Sequence, residues 1–450
     1  MTTSAPFSVG SFATHFLPHF DEVFALFLFW NFEHPDFPGA DEAAVQFFNA
    51  GRRTPQGGYA TEDWVRAHSQ LPIGIWGGSL DEHRREEETD EAYEARKKEQ
   101  ECAASLAAKM LGLDQRPELQ SLLRFARRVD NTATADPHDI SSVIKRLHDN
   151  RDTPPGKVRR WVNDQAKLAR INVILSRQIT LAEVFLWVEQ GIYAKCLEGP
   201  SDPEVDDFRI ERIATLLSQM TPEQSENNAF SPERWLEIGT DALELDQLLF
   251  ETVTAGEYTA YKTLIPFQGQ DRQGKPIEMK IAVVTSDDVR IHRYARFTDR
   301  VAVTIQRRMN GSVVIQSTKG LRLNMRNVAR ALKVTEAELR GVEPPRWDKA
   351  GKELLHSVWH FFAVGGALFN GSKTAPDMDP TRIKLGDIAR LVKMALSNDP
   401  FEPSRFEQCA QGICTSTLSK PCPRHTPGSG HCQTTRWEAR RDPPATASGQ

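Results

Sequence analysis

Residues 8–32, SVGSFATHFLPHFDEVFALFLFWNF, decide how the N-terminal part of this chain folds. SVGSFAT reads as a short strand. HFLPHFD carries a proline and polar groups and reads as a turn, and EVFALFLFWNF is apolar on nearly every side, which marks a buried helix. A strand, a polar turn and a buried helix in succession open an α/β layer.

Outward from that stretch, AAVQFF (43–48) and LPIGIW (71–76) are short apolar runs bounded by Gly- and Pro-rich turns, the pattern of buried strands. Their spacing favours a mostly parallel sheet. ECAASLAAKMLGL (101–113) and PELQSLLRFARRVD (117–130) carry apolar residues at helical spacing, with Pro117 at a helix start. The run from Arg84 to Gln100 is almost wholly charged and reads as a solvated helix or loop, or as a lid over a site.

Helical patterns continue over 137–253. The pattern then changes to strands at EMKIAVVT (278–285), with DRVAVTIQRR (299–308) and SVVIQS (312–317) flanking an Asn310-Gly311 hairpin signal. The expected fold class is therefore α/β: an N-terminal domain with a mostly parallel sheet (1–136), a helical connecting region (137–253) and a smaller C-terminal α/β domain (254–397). Residues 398–450, rich in Pro, Ser, Thr and Gly, read as a flexible Cys-rich tail.

At 450 residues, 39% apolar and 26% charged, the chain has an ordinary soluble balance. Its longest purely apolar run, Val23 to Trp30, is far short of the roughly 20 residues that cross a bilayer. With no export signal, the expectation is a cytoplasmic protein with reduced thiols and no membrane partner. A net charge of -5 argues against a surface that coats duplex nucleic acid. It leaves short single strands and small molecules open.

Three groups of residues can carry chemistry. His15, His19 and Asp21 place two imidazoles and a carboxylate on a turn after a strand, a donor set that suits zinc, manganese or iron. The alternative is two surface histidines and an ordinary N-cap aspartate. In the second group, Asp81 and His83 follow the glycines of Trp76-Gly77-Gly78, which either allow close backbone approach or only make a turn. The third is Asp130, where a carboxylate at a helix C-terminus opposes the helix dipole; a nearby cation would remove that conflict.

The ordered set H-x-x-x-H-x-D-E (15–22), G-G-x-x-D-E-H (77–83), E-C-A-A-x-L (101–106) and R-x-D-N (128–131) resembles the DHH phosphoesterase superfamily, nearest its Myg-type exonuclease branch. The resemblance implies a divalent metal, usually Mn2+, in the N-terminal domain. A smaller C-terminal domain would help to hold a phosphate-containing substrate. It also implies that His15, His19, Asp21, Asp81, His83 and Asp130 hold metal, with His83 and Glu82 as acid/base candidates.

Two departures stand out. The stretch Pro72–Trp76 lacks the strand carboxylate of the superfamily, and Glu82 stands where its middle histidine would be. Trp359-His360-Phe361-Phe362 through Asn370-Gly371-Ser372-Lys373 is similar to the Myg-type terminal motif, which makes Asn370, Gly371, Ser372 and Lys373 the expected phosphate-binding residues. Arg127 and Arg128 are further candidates for steering phosphate.

The activity implied is hydrolysis of phosphodiester bonds, as an exonuclease on single-stranded DNA, RNA or short oligonucleotides. A phosphohydrolase of small nucleotides or pyrophosphate is the alternative within the superfamily. An inactive nucleic-acid or protein interaction module is the alternative outside it. Separately, Cys409, Cys414, Cys422 and Cys432, with His425 and His431, supply ligands enough for a structural Zn2+ in the tail.

Overall fold

The computed structural model describes residues 6–48, 62–75, 78–81, 99–132, 135–151, 153–177, 180–197, 208–219, 231–270, 275–318, 321, 323–342, 358–362, 366–371 and 378–397. These divide at Val253/Thr254 into two compact units.

The first unit opens with β1 (Ser11–His15), α1 (Phe20–Asn31), a 3-10 turn (Ala40–Glu42), β2 (Ala44–Phe48), α2 (Glu62–Ala67) and β3 (Gln70–Pro72). The sheet order is β2-β1-β3, and both pairings are parallel. Ile73 prolongs β3 by donating to the Ala13 carbonyl, and it forms a parallel bridge with Leu80. The expected α/β layer is present, with β1 in its middle.

Among the described residues eight helices follow: α3 (Ala103–Met110), α4 (Pro117–Thr132), α5 (Ile140–Arg151), α6 (Pro155–Trp161), α7 (Gln165–Ser176), α8 (Leu181–Cys196), α9 (Ile210–Ser218) and α10 (Pro232–Leu249). Local chemistry sets several starts. Asp164 caps α7 through Ala166 and Lys167, Thr180 and Glu183 form a capping box on α8, and Ser231 caps α10 ahead of Pro232.

Every residue of α1 from Phe20 to Phe29 is buried, because α3, α4, α5 and α8 pack around it and Phe12 of β1 meets Phe29 at 5.5 Å between ring centroids. Each of the Phe, Leu and Val side chains among them contributes about 1.5–3 kcal/mol by leaving water. One core runs from Val9 to Ala242, so residues on both sides of the boundary expected at 136/137 share it. No single helix among the described residues is long and apolar enough to cross a membrane.

A π turn at Phe250–Thr254 leads into the second unit. It contains α11 (Ala255–Tyr261), β4 (Lys262–Gln270), β5 (Pro276–Thr285), α12 (Ile291–Asp299), β6 (Val303–Arg307), β7 (Val313–Ser317), α13 (Met325–Arg340), β8 (His360–Phe362), β9 (Ala367–Asn370) and α14 (Leu385–Ser397). Its mixed sheet has the order β4-β5-β6-β7-β9-β8, with β5 and β6 the parallel pair.

Alternation along β5 explains the layers. Ile281 and Val283 face the core that holds Leu332 of α13 and Val392 of α14. Ala282 and Val284 face Tyr258 of α11 and Ile291 and Ala295 of α12. The β6–β7 hairpin turns at Asn310-Gly311, where Gly311 takes φ +86° and Arg308 N donates to Ser312 O at 2.8 Å. This is the three-residue loop with a left-handed glycine.

Candidate metal centre

Strand β1 delivers His15 at its C-terminal end, the edge at which parallel sheets build their sites. The chain then turns through Phe16, Leu17 and Pro18. Phe16 N donates to Phe48 O at 2.9 Å, and Leu17 takes φ +59°, a left-handed conformation that costs a branched side chain energy. His148 of α5 donates from Nε2 to the Pro18 carbonyl at 3.2 Å, which braces the turn from beneath. His19 is the N-cap of α1. Asp21 therefore lies inside the first helical turn rather than at the cap.

Glu22, three residues past the cap, turns back and accepts from His19 N at 2.7 Å through Oε2. That leaves Oε1 facing His15 Nε2 at 3.1 Å, across seven residues of chain. His15 Nδ1 lies 2.8 Å from Phe16 O. A carbonyl only accepts, so Nδ1 carries a proton. Nε2 must then be protonated toward Glu22, or present its lone pair to a cation shared with the carboxylate. An Nδ1–H held by a backbone carbonyl is how metal-ligating histidines are oriented.

Burial alone would raise the Glu22 pKa. The His15 imidazole beside it, the charge of His19 and a hydrogen bond shared with the Asp21 carboxyl together hold it well below the usual carboxylate range. Gly74, at φ +64°, passes so close that a Cβ there would lie 2.6 Å from Glu22 Cγ. The strand position that lacks a carboxylate is thus filled by backbone packed against Glu22.

His15, His19 and Glu22 each present a ligand atom within 4.8 Å of the others. His15 and Glu22 are buried and His19 is exposed, an open-sided arrangement whose donors suit a borderline divalent ion. Asp21 is buried against Glu22 and also faces α3. Burial, then the charges of Asp21 and Asp130, push the Cys102 thiol at the N-cap of α3 well above its ordinary pKa. Asp21 and Asp130, 109 positions apart in sequence, thus act on one buried group.

Asp81 is also buried, and its amide donates to Gly78 O at 3.2 Å. The β1–β3 register ends at Ala13 opposite Pro72, and Ile73 faces Leu80. Gly74 N donates to Leu80 O at 2.9 Å, which holds the segment that carries Asp81 beside β3. Glu82 and His83 lie outside the described residues, as do nearly all of the charged run 84–100 and the tail cysteines Cys409, Cys414, Cys422 and Cys432.

Glu22 and His148 escape sequence reading as site residues. An H-x-x-E spacing at 19–22 is the signal that could have found Glu22, since it is the reach-back half of a capping box. No local signal marks His148. Arg127 ion-pairs with Glu101 at 3.5 Å and Arg128 lies over the Phe125 ring at 5.3 Å, so both are engaged in packing around α4.

In the second unit Asn370 is fully buried. Its Nδ2 donates to Val358 O and Asp379 O at 3.0 Å each, and its Oδ1 accepts from Thr381 N at 2.8 Å. Both donor hydrogens are therefore spent on backbone, and Asn370 staples loops rather than offering its amide to a phosphate. Gly371 follows in a left-handed turn at φ +79°; Ser372 and Lys373 lie outside the described residues. Trp359 is buried in the core, with its indole N–H toward Glu336 at 3.4 Å.

No protein-family model matches the sequence, and no curated protein matches it either. A solved structure of an uncharacterized protein from Helicobacter pylori G27 aligns over 86% of this chain and 99% of its own, at 10% identity. Its TM-score of 0.18 is too low to carry an argument about fold.

Proposed function

We propose that this protein is a metal-dependent phosphoesterase that hydrolyses phosphodiester bonds in single-stranded DNA, RNA or short oligonucleotides. The observation that carries the reading is His15: its Nδ1 is committed to Phe16 O while Nε2 faces the buried Glu22 carboxylate at 3.1 Å. A divalent cation held by His15 and Glu22 would satisfy both groups, with His19 and Asp21 beside them. The ordered resemblance to the DHH superfamily supplies the reaction class, with Asp81 and Asp130 completing the ligand set.

A divalent ion at such a site lowers the pKa of water toward neutrality and offsets phosphate charge. The chain's own residues do the rest. The Phe16 carbonyl fixes the His15 ring, Gly74 and α1 keep the Glu22 carboxylate out of bulk water, and His19 lies on the open side from which a phosphate can approach.

The test is Mn2+ and Zn2+ titration calorimetry on wild type and on Glu22→Gln, which keeps an acceptor for His19 N. Outer-shell partners alone are worth roughly 10–100-fold in metal affinity, so loss of the ligand itself should cost on the order of 100-fold. Hydrolysis of an oligothymidylate should fall with it. Equal metal affinity in the two proteins would sink the assignment.

The net charge of -5 favours a second reading, a phosphohydrolase of small nucleotides or pyrophosphate. Turnover of pyrophosphate with no turnover of oligonucleotides would select it.

A further inference from the structure

Helix α5 carries Ile144, Leu147, His148 and Arg151 at i, i+3, i+4 and i+7, which is one stripe of a helix surface. Ile144 and Leu147 belong to the core around α1, and His148 is buried where its ring meets Pro18 O at 3.2 Å. Arg151, the last residue of the helix, lies about 4.5 Å farther along the axis and is exposed. The face that packs on α1 therefore continues one step beyond the level of the His15–His19 turn, and what it presents there is a guanidinium.

Other arginines of this unit are tied to carboxylates: Arg146 to Asp246 at 3.4 Å, Arg127 to Glu101 at 3.5 Å and Arg177 to Glu237 at 2.7 Å. Arg151 has no carboxylate partner among the described residues. Nor is it remote from the site. Burial is the main cause of the lowered His148 pKa, and the positive charges of His19, Arg151 and His15 add to it in that order. One imidazole thus feels two ligands of the candidate metal centre together with Arg151, which puts all three charges around the one turn. The carboxylates of the turn are engaged elsewhere, Glu22 with His15 and His19 N and Asp21 toward Cys102 of α3.

We propose that Arg151 is a substrate-binding residue, whose guanidinium holds the phosphate group that enters the metal centre. The choice of ligand rests on the phosphoesterase reading; Arg151 is not among the residues which that reading uses. A phosphodiester carries its charge on two non-bridging oxygens, and in a chain of net charge -5 a cation at the mouth of the site draws it in. A guanidinium suits that task better than an ammonium, because its planar fork meets two phosphate oxygens at once. A basic residue in the last turn also complements the helix dipole. Lysine would serve the dipole equally well, so the two roles separate by substitution.

The experiment is fluorescence anisotropy of a short labelled oligothymidylate with the full-length protein in excess EDTA, where no hydrolysis occurs. Arg151→Gln should weaken binding roughly tenfold, the effect of one hydrogen bond to a charged group. It should also lower the slope of log K against log salt by about 0.7, one single-strand phosphate contact. Arg151→Lys should keep the slope and recover only part of the affinity. Arg159→Gln removes the same charge from an exposed position on α6 and should leave affinity and slope as in wild type. An oligothymidylate with uncharged methylphosphonate linkages should bind wild type and Arg151→Gln alike. Absence of binding by wild type overturns the proposal, as does an Arg151→Gln protein indistinguishable from Arg159→Gln. So does full recovery by Arg151→Lys with a lowered melting temperature of Arg151→Gln, which would assign Arg151 to the helix end alone.

Addition of Mn2+ separates the two readings. Binding that depends on Arg151 with no cleavage leaves this contact standing and removes the phosphoesterase; cleavage with binding indifferent to Arg151 does the reverse.

Discussion

His148 is buried beneath the turn that carries His15 and His19, with Pro18 O as its hydrogen-bond partner. Burial, helped by the positive charge of His19, Arg151 and His15, pushes its pKa down to about 4, although the bond to Pro18 O works in the opposite direction. A histidine whose folded pKa lies below its unfolded value of 6.5 binds fewer protons when folded. It therefore contributes fully above pH 6.5, and that contribution is lost as pH falls toward 4. The difference corresponds to about 3 kcal/mol. His148→Gln, which keeps a donor for Pro18 O, should be less stable than wild type at pH 7.5 by at most about 1 kcal/mol, and should become the more stable of the two once the pH falls below about 6. Urea unfolding at a series of pH values measures this. A constant difference between the two proteins across that range would mean that His148 does not titrate as described.

At the scale of elements, the site depends on two close approaches. The β1–α1 turn brings His15 to Glu22, and β3 runs past Glu22 at a residue with no side chain. Gly74→Ala would place a methyl 2.6 Å from Glu22 Cγ at a positive φ. Backbone strain of about 1–3 kcal/mol should lower the melting temperature, and displacement of the carboxylate should weaken Mn2+ binding in the same variant. Gly112 is also left-handed, at φ +66°, yet has nothing within 4 Å of its added Cβ. Gly112→Ala should therefore show the strain without the metal defect. Calorimetry on the two variants separates geometry at the site from the general cost of replacing a left-handed glycine.

For the whole molecule, the cores built on Phe24 and Leu28 and on Ile305 and Leu332 share no residue. Each unit therefore buries apolar surface on its own account. Leu28→Ala should cost one unit about 2–5 kcal/mol and Leu332→Ala the other by a similar amount. Scanning calorimetry should show each substitution moving one component of the unfolding profile and leaving the other in place. Both substitutions shifting a single transition equally would show that the two units unfold as one.

What is local can be read from the order of residues alone. That order placed the strand, turn and buried helix at 8–32, the parallel character of the first sheet, the hairpin at Asn310-Gly311 and the change of pattern near 254. Each follows from periodicity or turn chemistry within a few residues. Which groups meet depends on packing between distant segments. Glu22 reads as a helix cap until the turn folds it onto His15, and Asn370 reads as a phosphate ligand until loops from Val358, Asp379 and Thr381 consume its amide. Asp130 approaches the group around Asp21 because α3 and α4 pack on α1, and His148 reaches Pro18 because α5 does. Packing of whole apolar faces sets those distances, and the identity of a polar residue carries no record of which face will be brought against it.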